Sequence, residues 1–399
     1  MKLFIACELP PAARTALGEL GAETTYEPGI VLDAAKARLT DVGVIVVGEQ
    51  RVSRELLDRC KQLQMIIRAG EGPGEVSVED ASLQGVFVTH CPGVYSEAQA
   101  ELAFGMILAL DRAIVDHTLQ LRSGTWDRVG AGAAHGLAGR KLGLMGFGAD
   151  ARAIARIARA FGMSVSAWSP SLPTRAEPNA DIHLCNLARE VAETSDAICI
   201  LPMPASEDLP VVDHAFLEAL RPGAIVVNLA QTGVVDEAAL ARVARERGLR
   251  VGLDGVNDEP YIEQTTIDNN LLRLAGVVAT PRIAELTRQA REAVGNEVVR
   301  IARDFLTSGE IRNCINLLDR SPATWQLVLR AKDQVGVLAS ILDAIRADGV
   351  NAEEIVSRVF TGAKAAWVAI SLDERPSREA LESIRKLPDV LHVELRAVV

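Results

Sequence analysis

Six cysteines in 399 residues, Cys7, Cys60, Cys91, Cys185, Cys199 and Cys314, lie far apart, with no C-x-x-C pair and no compact framework. That spacing excludes a disulfide scaffold and fits reduced thiols in a cytoplasm, each serving as a small buried apolar residue. No run of lysine and arginine offsets the net charge of -11, which excludes nucleic acid as the default partner and leaves small molecules or proteins. Long apolar runs are missing too. The segment from Met1 to Cys7 is apolar but meets Glu8 and has no basic n-region, so it is not a signal peptide, and no later segment is long enough to span a bilayer. Neither a G-x-S-x-G elbow nor a His/Cys/acid cluster at metal-ligand spacing occurs, so no metal site is expected.

What is present is apolar residue in quantity: 49% hydrophobic against 24% charged, enough for two or three ordinary cores. Short apolar runs at Leu3–Ala6, Gly43–Val47, Met65–Ala69 and Gly85–Thr89 read as strands, with helical patterns over Pro10–Gly21 and Arg54–Cys60. This is the βαβ rhythm of a parallel sheet. One long helix is predicted from about Ser96 to Ser123, ending at Gly124. A second set of strand candidates follows at Ser164–Trp168, Ala197–Leu201, Ile225–Asn228, Val251–Leu253 and Val277–Ala279, with a helix over Ala238–Arg247 closed by Gly248. Arg288–Leu306 reads as one amphipathic helix. Beyond Gly309, Leu318-Asp-Arg-Ser-Pro-Ala resembles a linker. The elements Gln326–Ala331, Val337–Asp348, Glu354–Val359, Ala365–Leu372, Ser377–Leu387 and Leu391–Val398 then make a βαββαβ order. The predicted class is α/β, with two Rossmann-like doubly wound parallel sheets and a C-terminal ferredoxin-like domain.

Between the two sets of strands, Lys141-Leu-Gly-Leu-Met-Gly-Phe-Gly-Ala-Asp-Ala reads as strand, glycine turn and helix start. Gly146, Gly148 and Ala151 fit G-x-G-x-x-G/A, which permits a tight turn and close approach of a dinucleotide's pyrophosphate to the helix N-terminus. Asp150 stands in that first helical turn. Two like charges about 4 Å apart at an effective dielectric near 20 repel by roughly 4 kcal/mol, so the carboxylate opposes a phosphate there, or else caps the helix itself.

With these anchors the chain resembles the D-isomer-specific 2-hydroxyacid dehydrogenases, and among them the phosphoglycerate dehydrogenases that carry a C-terminal ACT domain. The resemblance rests on the glycine turn, on Gly223-Ala-Ile-Val-Val-Asn-Leu-Ala-Gln-Thr-Gly-Val-Val-Asp-Glu, on Leu253-Asp-Gly-Val-Asn-Asp-Glu-Pro, and on Gly336-Val-Leu with Gly362-Ala-Lys-Ala-Ala. It implies a substrate domain of residues 1–95 and 283–315, a dinucleotide domain of 96–282, a linker of 316–325 and an ACT domain of 326–399. It also implies a site in the cleft at the strands' carboxyl ends, a homodimer or homotetramer, and an amino-acid effector at the ACT domain.

Oxidation of a 2-hydroxy acid needs a cation for the substrate carboxylate, a base for the hydroxyl proton and a nicotinamide for the hydride. The family pattern supplies an arginine, a histidine and a glutamate. Here Glu259 keeps the glutamate position, Gln231 stands for the arginine and Arg282 for the histidine. A glutamine lacks the charge and fork of a guanidinium, and an arginine keeps its proton at ordinary pH. Either Arg282 has become the carboxylate clamp with Glu259 as its acid/base partner, or the two form a structural ion pair in a retired site.

On the substrate side, Arg68 matches an arginine used near phosphate, Tyr95 replaces an asparagine before Ser96, and Glu71 and Glu75 make the following loop acidic. Val47 stands where a second phosphate arginine is expected. On the cofactor side, Ser169 replaces the acid that selects NAD over NADP, Arg175 is a candidate for a 2′-phosphate, and Asp254 either faces the nicotinamide amide or simply ends its strand. NAD or NADP is the cofactor in question. His90 is the histidine best placed near the cleft. In the last domain Asp333 and Asn351 hold positions that meet an amino acid, and Asp333 is expected to cap the helix starting near Val337. These substitutions lead to a diverged phosphoglycerate dehydrogenase-like oxidoreductase acting on a small 2-hydroxy or 2-oxo carboxylate. The alternative is a catalytically inactive pseudo-dehydrogenase with an ACT-mediated sensing or regulatory role.

Overall fold

The structure is a computed structural model that describes residues 1–128, 134–170, 182–203, 210–257, 259, 265–318 and 321–398. The chain divides into two compact units, Met1–Asn316 and Leu317–Val399. The first unit holds two parallel sheets. One consists of β1 (Lys2–Ile5), β2 (Glu23–Tyr26), β3 (Val44–Val47), β4 (Met65–Arg68) and β5 (Phe87–Thr89) in the order β2-β1-β3-β4-β5. The other consists of β6 (Lys141–Met145), β7 (Ser164–Trp168), β8 (His183–Leu184), β9 (Ala197–Ile200), β10 (Ile225–Asn228), β11 (Arg250–Asp254) and β12 (Val277–Thr280), in the order β12-β11-β10-β9-β6-β7-β8.

Both orders are doubly wound: the first is 2-1-3-4-5, the second the extended 3-2-1-4-5-6 arrangement that reverses between β6 and β9. Central strands such as β3, β9 and β10 are buried on both faces, as their unbroken aliphatic runs require. The helices of this unit are α1 (Pro11–Gly18), α2 (Leu32–Ala35), α3 (Arg54–Arg59), α4 (Val78–Leu83), α5 (Ser96–Asp111), α6 (Ile114–Arg122), α7 (Ala149–Ala160), α8 (Ala188–Thr194), α9 (His214–Ala219), α10 (Glu237–Arg247) and α11 (Arg288–Ser308). Val294, Val298 and Ile301 of α11 pack with Leu3, Ile5 and Val46 of the first sheet. The chain behind α11 returns to the same sheet, where Ile315 N–H donates to Val88 O at 2.7 Å.

Two local expectations are corrected. The helix predicted over Ser96–Ser123 is two helices, broken at Ala113, whose φ is +48°. The cause is tertiary: Asp111 is buried and accepts from Arg140 Nη1 at 3.0 Å and from Gly136 N–H at 3.0 Å, anchoring the end of α5, whereas α6 buries no residue. Strands β2 and β8 were not anticipated, because Glu-Thr-Thr-Tyr and His-Leu at sheet edges carry no apolar run. Cys7, Cys60, Cys91, Cys185 and Cys199 are buried free thiols, and Cys314 is a half-buried one.

The second unit has β13 (Trp325–Lys332), α12 (Val337–Ala347), β14 (Ala352–Val359), β15 (Ala365–Leu372), α13 (Arg378–Arg385) and β16 (Val390–Ala397). Its four strands form an antiparallel sheet in the order β14-β15-β13-β16, with both helices packing on a core that includes Leu327, Ile341, Ile370 and Ile384. Gly336, at φ +89°, is the residue before α12, and no side chain caps that helix, so Asp333 does not have the capping role expected for it. Its N–H donates to Lys364 O instead. Asn351 donates through Nδ2 to Glu353 at 2.7 Å and lines a hollow with Leu342, Ile345, Arg346 and Gly349, to which Asp333 does not contribute.

Candidate active site

Parallel strands end their backbones on one edge, and the loops that leave those ends carry the residues singled out above. Arg282, two residues past β12, has φ +49°, a region that non-glycine residues rarely enter. Asp254 at the end of β11 explains how it is kept there. One carboxylate oxygen accepts from Thr280 Oγ1 at 2.7 Å and Ile283 N–H at 2.8 Å, and the other accepts from Ala284 N–H at 2.9 Å. Asp254 is buried and spends both oxygens on the loop that presents Arg282.

Arg282 Nε donates to both carboxylate oxygens of Glu259, at 2.5 Å to Oε1, and its Nη2 donates to Thr232 Oγ1 at 3.2 Å. The pair is 38% exposed on each side, so solvent reaches it. Gly255 at φ +97° makes room: a Cβ there would lie 2.8 Å from Arg282 Cγ and 3.0 Å from Glu259 Oε2. Gln231 is exposed and donates through Nε2 to Met203 O at 2.5 Å, so it neighbours Thr232 in sequence without bonding to Arg282.

Across the first sheet, Arg68 closes β4 and is 8% exposed. Its Nη2 pairs with Glu49, its Nη1 donates to Ala69 O at 3.2 Å, and Nε has no partner. Gly70 is required beside it, since a Cβ would fall 1.5 Å from Arg68 Nη1 and 2.8 Å from Tyr95 Oη. Burial pushes the Tyr95 hydroxyl up to about 12, with Glu285 adding to the rise and Arg68 opposing it. His90 accepts at Nδ1 from Gly72 N–H at 3.1 Å, and burial, followed by the charge of Arg68, lowers its proton affinity. Through Nδ1 the imidazole holds this loop.

Around the glycine turn, α7 starts after Gly148 with no side-chain cap. Asp150 therefore does not cap its own helix; it turns to α5 and accepts from Ser96 Oγ at 2.5 Å. Burial raises its proton affinity, and the Ser96 hydrogen bond lowers it. Two further carboxyls share the space. Glu71 is pushed up to about 7 by burial first and then by the charge of Asp150, and its Oε1 is buried without a partner. Glu285 is raised by burial, with Arg68 pulling it back and Glu49, Asp254 and Asp150 pushing it further. Glu285, Glu49 and Thr232 were not anticipated as site residues. The signal available was position alone: three residues after Arg282, beside Gly48, and next to Gln231.

A dinucleotide fits the backbone of this turn. Gly146, at φ +119°, is hydrogen-bonded through its N–H to Trp168 O and abuts Leu201, nothing lies within 4 Å of a Cβ built on Gly148, and among the described residues no side chain caps the first turn of α7. Ser169, directly after β7, is buried. Arg175 lies outside the described residues. Among the described residues no group of three His, Cys, Asp or Glu could hold a metal ion, and no helix is long and apolar enough to cross a membrane.

Comparison with known proteins places this architecture. Residues 104–284 match the NAD binding domain of the D-isomer specific 2-hydroxyacid dehydrogenases. The glyoxylate reductase of Thermococcus litoralis is 32% identical over 74% of this chain and 89% of its own length. The D-3-phosphoglycerate dehydrogenase of Methanocaldococcus jannaschii is 28% identical over 79% of this chain and 60% of its own. Among solved structures, the NADPH-dependent glyoxylate/hydroxypyruvate reductase of Sinorhizobium meliloti superposes with a TM-score of 0.66 at 27% identity, covering 79% of this chain and 95% of that one. The chain belongs to the D-isomer-specific 2-hydroxyacid dehydrogenase family.

Proposed function

We propose that the protein is an NAD(P)-dependent oxidoreductase of a small 2-hydroxy or 2-oxo carboxylate, working with a Gln231/Glu259/Arg282 site. The observation that carries this reading is the Arg282 loop: a cation held in left-handed backbone by Asp254, with Glu259 and Thr232 orienting its guanidinium. A structural ion pair alone does not need a strained residue with three hydrogen bonds securing its loop. Two of the proteins named above are a glyoxylate reductase and a glyoxylate/hydroxypyruvate reductase, which makes small 2-oxo acids the first substrates to try.

The nicotinamide, when bound, supplies or accepts hydride. Arg282 holds the substrate carboxylate with the guanidinium edge that Glu259 leaves free, and the amide of Gln231 is placed to add a neutral hydrogen bond. Glu259 fixes the guanidinium plane and, being reached by solvent, passes a proton from water to the carbonyl oxygen in reduction or takes the hydroxyl proton in oxidation. Net charge disfavours a phosphorylated substrate, because Arg68 is already paired with Glu49 and faces Glu285. Steady-state oxidation of NADH and NADPH with glyoxylate, hydroxypyruvate and 3-phosphohydroxypyruvate tests this. The expected result is turnover of the unphosphorylated acids in preference to the phosphorylated one.

A non-catalytic role has one observation in its favour: Gln231 already donates to Met203 O, and Arg282 to Glu259, so both anchors have partners before a substrate arrives. In either reading residues 1–95 with 283–315 are assigned to substrate, 96–282 to dinucleotide and 326–399 to an ACT domain that takes an amino acid near Asn351, in a homodimer or homotetramer. An amino-acid-dependent rise in the melting temperature of the full chain, absent in Asn351→Ala, supports the effector site.

A further inference from the structure

Asp150 stands where an incoming pyrophosphate meets the start of α7. Its only hydrogen bond described is the one accepted from Ser96 Oγ at 2.5 Å. The charged groups that share its surroundings are unequal in sign. From the loop after β4 comes Glu71, and from the segment ahead of α11 comes Glu285, each electrostatically opposed to it. Two of the three cations of its own helix are engaged elsewhere: Arg152 lies 5.3 Å from the ring centroid of Phe147, and Arg156 pairs with Glu97 of α5. No lysine or arginine within 4 Å pairs with Asp150, Glu71 or Glu285 among the described residues.

A dinucleotide adds two phosphate charges at this point, on the uncapped N–H groups of α7. An anionic neighbour can move, be neutralised by a cation, or take up a proton. The hydrogen bond to Ser96 holds Asp150 in place, and among the described residues no cation pairs with it. We propose that the carboxyl of Asp150, bonded to Ser96 in the first turn of α7, takes up one proton when the pyrophosphate of NAD(P) binds, so that Asp150 sets the cofactor affinity of this chain and makes it fall as pH rises. The proton comes from solvent, binds a carboxylate oxygen and returns to solvent on release; no other bond changes. This inference rests on the cofactor reading given above. Burial already favours the neutral carboxyl in the free protein, and the phosphates extend that preference to higher pH.

Linkage gives the sign. A group whose proton affinity rises on binding leaves the ligand's affinity constant below its free-state pKa, lowers it by about tenfold per pH unit up to its bound-state pKa, and leaves it constant above. The test is titration of NADH and NADPH into the full chain from pH 5.5 to 9, followed by nicotinamide fluorescence, with calorimetry in two buffers of different ionisation enthalpy to count protons. Wild type is expected to lose affinity with that slope and to take up one proton. Asp150→Asn keeps the side-chain shape, and is expected to bind more tightly than wild type at high pH, with neither slope nor proton uptake.

Saturable binding that is independent of pH in both proteins overturns the proposal while the cofactor reading stands. A slope that survives in Asp150→Asn but disappears in Glu71→Gln also overturns it, by moving the proton to Glu71. Binding by neither protein at any pH overturns the cofactor reading and the proposal together.

Discussion

The two ends of the cleft treat charge in opposite ways. At the β11–β12 end each ion has a partner: Arg282 meets Glu259, and Asp254 meets two N–H groups and a hydroxyl. At the β4–β6 end Glu71, Asp150 and Glu285 gather without an ion pair of their own, and burial raises the proton affinity of all three. The first arrangement fixes geometry. The second is governed by protons. A bound pyrophosphate brings negative charge to the second end, so the three carboxyls there bear directly on what the cleft admits.

The contrast is broken most severely at Asp254. Asp254→Ala leaves Ile283 and Ala284 N–H groups without an acceptor and releases the strained loop, and is expected to destabilise the first unit by about 3 kcal/mol, read as a lower midpoint in urea denaturation. Arg282→Met is next. It removes the cation but not the loop, so stability should change little while kcat/KM for a 2-oxo acid falls about 30-fold, the equivalent of about 2 kcal/mol for a charge pair that solvent still reaches.

The proton-governed end sharpens the comparison through pH. Glu71 titrates near 7 in the folded chain, above its unfolded value, so it binds more protons folded than unfolded. Its contribution is full below the unfolded pKa near 4.5 and is lost as pH rises through about 7. The melting temperature should therefore drop between pH 5 and pH 8, and Glu71→Gln should shrink that drop by roughly 3 °C, measured by differential scanning calorimetry. The smallest effect belongs to Thr232→Val. It deletes one exposed hydrogen bond to Arg282, for which about 0.5 kcal/mol and a roughly twofold rise in KM are expected.

Much of the scaffold was legible in the sequence because it obeys local rules. Aliphatic runs mark β3, β9 and β10, glycines at 248 and 309 close α10 and α11, and the glycine turn lies between β6 and α7. The misreadings have tertiary causes. Arg140 and Gly136 anchor Asp111, and the chain breaks two residues later at Ala113 within a continuous helical pattern. The edge strand β2 is polar because one side of it has no neighbour. At the site, sequence identified the residue types of Glu259 and Arg282 and left their pairing open, since 23 residues separate them and only the folded loop shows Nε against both oxygens. Asp150 was placed correctly in the first turn of α7, but its partner Ser96 is 54 residues away, and neither of the expected alternatives included that hydrogen bond. Glu285 became visible only as a third carboxyl beside two others.

The central claim is that this altered cleft still supports hydride chemistry on a small carboxylate. The most direct measurement is transfer of deuterium from 4-deuterated NADH or NADPH to glyoxylate, with the product analysed by mass spectrometry after long incubation. Glycolate carrying deuterium at C2 is expected, formed about 30-fold more slowly by Arg282→Met. Glycolate free of deuterium, or no glycolate at all, under conditions where cofactor binding is saturated would contradict it.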